Sequence, residues 1–121
     1  MWRKFLRVSS MLKKEVLRRD SDFSSIYKKG KSVGDRLVVV FHKKNNLPYN
    51  RIAFLASKKV GNAVARNRAR RLMKESYRSL SDQLLAGYDI IFIARNTITN
   101  SKCADVKKSI EAATKRAGIL K

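Results

Sequence analysis

The sequence is poor in cysteine, histidine, proline, glycine and acidic residues. A single cysteine, Cys103, excludes an internal disulfide framework and a cluster of thiolate metal ligands. The single histidine, His42, argues against a histidine-based metal site and against a Ser-His-Asp triad. One proline and five glycines are too few for a disordered tract, so the chain is expected to fold.

Long hydrophobic runs are also absent. The longest, such as Leu37–Phe41 and Ile90–Ala94, have about five residues, whereas a membrane span needs roughly 20. A transmembrane protein is therefore excluded. Residues 1–10 are basic but lack the apolar core of a secretory signal, and Met11 offers a second start. We expect a cytoplasmic protein with one domain over 1–121, in which 1–10 form a flexible extension of a folded core over 11–121.

What the sequence has in excess is positive charge. Lysine and arginine number 29 against nine acidic residues, which gives a net charge of +20. A single domain this basic usually has a polyanion as its partner. The acidic residues are scattered, and the closest pair, Asp20 and Asp22, is explained by helix capping. An enzyme that cleaves a nucleic acid with its own side chains would need clustered carboxylates to hold magnesium, so we disfavour a nuclease with a protein-borne active site.

Periodicity and turn signals predict six elements. They are a helix Ser21–Lys29 capped by Asp20, strands Leu37–Phe41 and Arg51–Ala56, a long helix from Gly61 to about Leu85, a strand Asp89–Ala94, and a helix from a Ser101 cap to Ala117. The first two strands are expected to pair as an antiparallel hairpin, and the strand-helix-strand unit to make a parallel pair. The predicted fold is of the α+β class, a two-layer α/β sandwich of order α-β-β-α-β-α, with or without one extra short strand.

The long helix separates apolar from cationic side chains. On a helical projection, one side carries Ala65, Ala69, Leu72, Met73, Ser76 and Leu80. The opposite side carries Arg70, Arg71, Lys74 and Arg78, with Arg66 and Arg68 at its margins. Guanidinium groups bind phosphates bidentately, and only Glu75 offers an acidic partner, so we interpret this side as a polyanion-binding face rather than a solvated one. Ser57, Lys58 and Lys59 precede the helix, where its N-terminal amides add to an anion site.

Two aromatic side chains of the first helix, Phe23 and Tyr27, are spaced i, i+4 and share one face, and Phe41 ends the first strand. Aromatics beside a basic groove hold single-stranded RNA by base stacking, and core packing is the alternative interpretation. His42 is expected at the surface of a strand end. Cys103 is expected as a small core residue on the last helix.

The run KKVGNAVARNRARRL, Lys58–Leu72, resembles the signature of the bacterial ribonuclease P protein subunit, whose RNR motif corresponds to Arg66-Asn67-Arg68. The similarity extends over roughly Leu12 to Ala117 and includes Phe23, Tyr27 and Gly30. It implies that the protein binds a catalytic RNA, and that the resulting ribonucleoprotein removes the 5′ leader from precursor tRNA. Crossovers between parallel strands are usually right-handed, and the strand pattern alone would suggest that hand here. The resemblance instead implies a left-handed crossover.

The resemblance implies distinct roles for two sets of residues. Contacts to the catalytic RNA are expected from Lys58, Lys59, Asn62, Arg66, Asn67, Arg68, Arg70, Arg71 and Lys74. Contacts to the leader are expected from Phe23, Tyr27, Arg36, Phe41 and Lys58, and the resemblance implies that the three aromatic residues lie on a different face. No protein residue is expected to be catalytic or to bind metal, since the RNA holds the active site and most of the Mg²⁺. The protein alone is expected to be a monomer.

Two other functions remain as alternatives. A ribosomal or general RNA-binding protein shares the charge and the fold class, but it does not call for the extended Lys58–Leu72 string. A basic protein of the membrane surface is disfavoured because no basic amphipathic helix has a bulky apolar face apart from its core stripe.

Overall fold

The structure, a computed structural model, describes residues 15–121, so the expected extension 1–10 lies outside the described residues. Seven helices and strands follow one another there: α1 (Asp20–Lys29), β1 (Lys31–Gly34), β2 (Val38–Lys44), β3 (Arg51–Leu55), α2 (Ala63–Leu80), β4 (Tyr88–Ala94) and α3 (Cys103–Ala117). Short 3₁₀ turns lie at Ser81–Gln83 and Asn96–Asn100. The predicted α+β fold is confirmed, with β1 as the extra short strand.

The four strands form one sheet in the order β1-β2-β4-β3. The β1–β2 and β2–β4 pairs are antiparallel, and β3 runs parallel to β4. The parallel pair was expected, but the hairpin between the second and third strands is wrong, because β4 lies between them. Ile90, Ile91 and Phe92 of β4 are fully buried, so this strand takes the central position where both faces are covered.

The helices lie on both faces of the sheet, so α1 adds a layer to the predicted two-layer sandwich. The apolar stripes of α2 and α3, including Met73 and Ile110, form the main core with Val40 and Phe92. On the opposite face, Ile26 of α1 and Leu17 pack against Ala53 and Ile91. Among residues 15–121, none of the helices combines the length and apolar character needed to cross a bilayer.

Three helix starts and the end of α2 differ from the prediction, since α2 ends at Leu80 rather than at about Leu85. Asp20 is the first residue of α1 rather than its cap, since Arg19 takes the cap position. Asn62 caps α2, and its Oδ1 accepts a hydrogen bond from the backbone N–H of Ala65 at 2.9 Å. The α3 helix starts after Lys102 rather than Ser101, and the carboxylate of Asp105 accepts from the Lys102 N–H at 3.4 Å.

Two side-chain predictions are wrong. Cys103 is exposed in the first turn of α3, because the core stripe of that helix begins only at Val106. His42 is 7% exposed, because its side of β2 faces the helices. The backbone of His42 also packs against α1, where a Cβ on Gly30 would lie 2.7 Å from the His42 carbonyl oxygen. Only glycine fits at position 30.

We predict that the buried His42 makes stability depend on pH. Burial lowers the pKa of His42, and the nearby charge of Lys31 lowers it further. The unfolded chain therefore takes up a proton that the folded protein does not, so the free energy of unfolding is greatest above about pH 6.5 and falls below it. Urea titrations between pH 7.5 and 5.5 should show a decline of at most about 1.4 kcal/mol per pH unit.

His42→Gln is the control, because His42 is the only histidine of the chain. This variant should show a nearly flat profile over the same pH range. A decline as steep as that of the wild type would mean that another group is responsible.

Candidate nucleic-acid interface

A cleft of about 840 Å³ opens at the β3 edge of the sheet, between α1 and α2. Its floor is apolar and comes largely from residues 52–55 of β3. One wall carries Phe23, and the wall formed by α2 carries cationic and polar groups. The α2 residues that line it are Asn67, Arg70, Arg71, Lys74 and Glu75.

Local structure explains why the cleft forms. β3 is an edge strand, and along the described chain its outer side is bridged by Val16, with the Leu17 N–H donating to the Ile52 carbonyl at 3.0 Å. The Arg51 guanidinium holds α1 near β3 through Asp22, at 3.5 Å. On α2, positions 67, 70, 71 and 74 share one side at i, i+3, i+4 and i+7, so burial of the apolar stripe directs them to the cleft.

The cleft is strongly cationic. Arg18, Arg70, Arg71 and Lys74 line it against one carboxylate, Glu75, which pairs with Arg78 at 3.3 Å. An aromatic ring beside unpaired cations over an apolar floor suits single-stranded nucleic acid, whose bases stack while its phosphates bind the cations.

The predicted aromatics separate into two groups. Phe23 lines the main cleft, and Phe23 and Tyr27 line an adjoining shallow groove with Asp20, Ser24 and Leu55. Tyr27 is 44% exposed, and partial burial raises the pKa of its phenol. Phe41 is half-buried, lines neither groove, and packs edge-to-face against Tyr27 at 5.0 Å between ring centroids. Phe41 therefore helps to hold the Tyr27 ring in place.

The two arginines of the RNR motif point to different sides of α2. Arg68 donates to the carbonyls of Thr99 and Ser101, at 3.2 and 3.0 Å, and ties α2 to the turn before α3. Within residues 15–121, the buried Nε of Arg66 has no hydrogen-bond partner. Asn67 accepts a hydrogen bond from Arg70. An Arg68 substitution would therefore remove a structural tie as well as a charge.

Several predicted residues lie away from the cleft. Lys58 and Lys59 are exposed in the turn before α2, and Asn62 caps that helix. Arg36 lies near α3, where its carbonyl accepts from the Thr97 hydroxyl at 2.6 Å. The predicted separation of aromatics and arginines onto different faces is wrong for Phe23, which shares the cleft with Arg70, Arg71 and Lys74.

Sequence reasoning missed Arg18, Phe54 and Leu55 as lining residues. Arg18 belongs to a basic run just before α1, which was a usable signal. Phe54 and Leu55 gave none, because their exposure depends on β3 being an edge strand. In the described part of the chain, no three His, Cys, Asp or Glu side chains converge where they could hold a metal ion.

Comparison with known proteins decides the family. The model of the ribonuclease P protein family matches residues 11–118. The chain belongs to the ribonuclease P protein family. A ribonuclease P protein component from Clostridioides difficile is 44% identical over 104 residues, covering 85% of this chain and 91% of that relative. One from Clostridium botulinum is 40% identical over 109 residues, covering 89% and 98%.

Solved structures of ribonuclease P proteins share the fold. The RNase P protein of Staphylococcus aureus is 32% identical, with a TM-score of 0.80 over 88% of this chain and 98% of that one. The protein from Thermotoga maritima is 29% identical, with a TM-score of 0.74 over 81% and 93%. The family resemblance carried by the Lys58–Leu72 string is therefore confirmed.

Proposed function

We propose that this chain is the protein subunit of ribonuclease P, the endoribonuclease that matures tRNA 5′ ends. In this role it binds the catalytic RNA and the 5′ leader of precursor tRNA. The observation that carries the proposal is the cleft, in which Phe23 faces Arg70, Arg71 and Lys74 across the apolar edge of β3. The reaction is inferred from membership of the family, and the binding site for the single-stranded leader is inferred from the cleft.

The leader fits the chemistry of the cleft. A base can stack on Phe23, or on Tyr27 in the adjoining groove, and each stack contributes about 1–3 kcal/mol. Arg70 and Lys74 bind the phosphates beside it. Mature tRNA has no leader, so these contacts favour the precursor.

The catalytic RNA is assigned to cationic and polar residues that lie outside the cleft, at the N-terminal end of α2. Lys58 and Lys59 are exposed in the turn before α2, and Asn62 is exposed at its cap. The RNA supplies the catalytic groups and holds the Mg²⁺, which neutralises charge on the reacting phosphate. The protein acts in the cytoplasm as a monomer before assembly.

A general RNA-binding role is the competing function. It would use the same charges but would give no preference for a 5′ leader. The relative affinities for precursor and mature tRNA therefore separate the two.

We expect Phe23→Leu to reduce the preference of the assembled holoenzyme for precursor over mature tRNA by about fivefold or more. Leucine keeps apolar contact but loses the stacking face, and a loss of roughly 1 kcal/mol corresponds to about fivefold. The measurement is a pair of titrations, one of the protein with a bacterial ribonuclease P RNA and one of the holoenzyme with both forms of tRNA.

Tyr88→Leu is the matched control, since Tyr88 is half-buried on β4 and does not line the cleft. It should leave the precursor preference unchanged, and neither variant should weaken binding to the catalytic RNA. If Phe23→Leu and the wild type showed the same preference for precursor tRNA, the leader would not bind in this cleft.

A further inference from the structure

The outward face of α3 carries lysines that the cleft does not explain. Lys107, Lys108 and Lys115 are exposed, while Val106 and Ile110 on the other side of the helix are buried. None of the ion pairs formed among residues 15–121 includes any of the three lysines. By contrast, Arg116 of the same helix pairs with Asp35 at 2.8 Å.

Acidic groups near this face are fewer than its cations and are partly engaged elsewhere. Glu111 lies among the lysines, and Asp105 accepts from the Lys102 backbone at the start of the helix. Asp35, which shares a groove with Lys108, pairs with Arg116. Like charges on one helix face repel, and an anionic partner relieves that repulsion. Lys108 and Lys115 are two turns apart, roughly 10 Å along the axis, so the face can reach more than one phosphate.

The position of α3 joins these lysines to the charges of α2. Both helices cover the same face of the sheet, and they touch where Ser76 Oγ lies 3.8 Å from Cys103 Sγ. Arg78 is exposed near the C-terminal end of α2, beyond the residues that line the cleft. We refer to Arg78, Lys107, Lys108 and Lys115 together as the helical-layer surface.

We propose that the helical-layer surface binds the phosphate backbone of base-paired RNA, and that Lys107, Lys108 and Lys115 extend the catalytic-RNA interface from α2 onto α3. This inference rests on the proposed function. The α3 face has no aromatic side chain on which an unpaired base could stack, so a duplex backbone fits it better than the leader does. Apart from the half-buried Leu120, which lines a shallow groove with Lys108 and Lys115, the apolar side chains beside the lysines are Ala104 and Ala112, which are too small to anchor a helix in a lipid interface.

The test is a triple variant, Lys107→Gln/Lys108→Gln/Lys115→Gln, which removes three charges and keeps helix propensity. Its affinity for a bacterial ribonuclease P RNA transcript is measured at several salt concentrations. Each lost phosphate contact lowers the slope of log affinity against log salt by about 0.9, so the slope should fall by about two to three. Affinity at physiological salt should fall about 10- to 100-fold. The single variant Lys108→Gln should lower the slope by about one.

The matched control is Lys29→Gln/Lys31→Gln/Lys44→Gln, which removes three exposed lysines outside the helical layer. Its slope should change by less than one. Equal slopes for the two triple variants would overturn the inference, as would a loss confined to tRNA binding by the holoenzyme. Loss of binding to phosphatidylglycerol vesicles with unchanged RNA affinity would also overturn it and assign the face to lipid. Failure of the wild-type protein to bind the RNA would instead overturn the proposed function.

Discussion

Asp89→Asn should lower the free energy of unfolding by about 3 kcal/mol. Asp89 is 3% exposed, and its carboxylate accepts from Arg51 Nε at 2.8 Å, Arg51 Nη2 at 2.6 Å and Asn45 Nδ2 at 2.9 Å. The hydrogen bonds that Arg51 donates to Asp89 raise the pKa of Arg51. With asparagine at position 89, Arg51 loses its main ion-pair partner and keeps only the longer contact with Asp22 of α1. Thermal unfolding should show the midpoint lowered by about 10–20 °C.

Glu75→Gln is the control for Asp89→Asn. It breaks the Arg78–Glu75 pair, whose side chains are 45% and 42% exposed, and such exposed pairs contribute about 0–1 kcal/mol. If the two variants melted at the same temperature, the Arg51–Asp89 pair would not be what fixes α1 to the sheet.

Sequence periodicity predicted most of the helices and strands, because burial of one side imposes a local pattern. The α2 stripe through Met73 and Leu80 and the α3 stripe through Val106 and Ile110 are examples. The order of the strands was harder to predict, since it depends on which strand is covered on both faces. β1 has the sequence KSVG and no apolar pattern, so only its pairing with β2 identifies it.

The candidate site was predicted in composition but not in arrangement. Charge periodicity identified Arg70, Arg71 and Lys74, and i, i+4 spacing identified Phe23. Their meeting in one cleft depends on how α1 and α2 approach the edge of β3, which is a tertiary effect. The hydrogen bonds from Arg68 to the Thr99 and Ser101 carbonyls could not be predicted either, because those residues are 31 and 33 positions away in the sequence.

The second large effect concerns catalysis. We expect the purified protein alone to leave precursor tRNA intact, because its nine acidic residues are scattered along the sequence, whereas a metal-dependent active site needs them clustered. With a bacterial ribonuclease P RNA, the protein should raise the rate of leader removal at limiting magnesium, since its cations replace metal ions in neutralising phosphate repulsion.

Reconstitution at limiting magnesium separates the contribution of the protein from that of the RNA. Three mixtures are compared with the same 5′-labelled precursor tRNA: RNA alone, protein alone, and both together. We expect slow cleavage by the RNA, none by the protein, and fast cleavage at the mature 5′ end by the two together. Cleavage by the RNA-free protein that survives removal of contaminating nuclease, or no acceleration of the RNA by the protein, would show that the protein is not the subunit we propose.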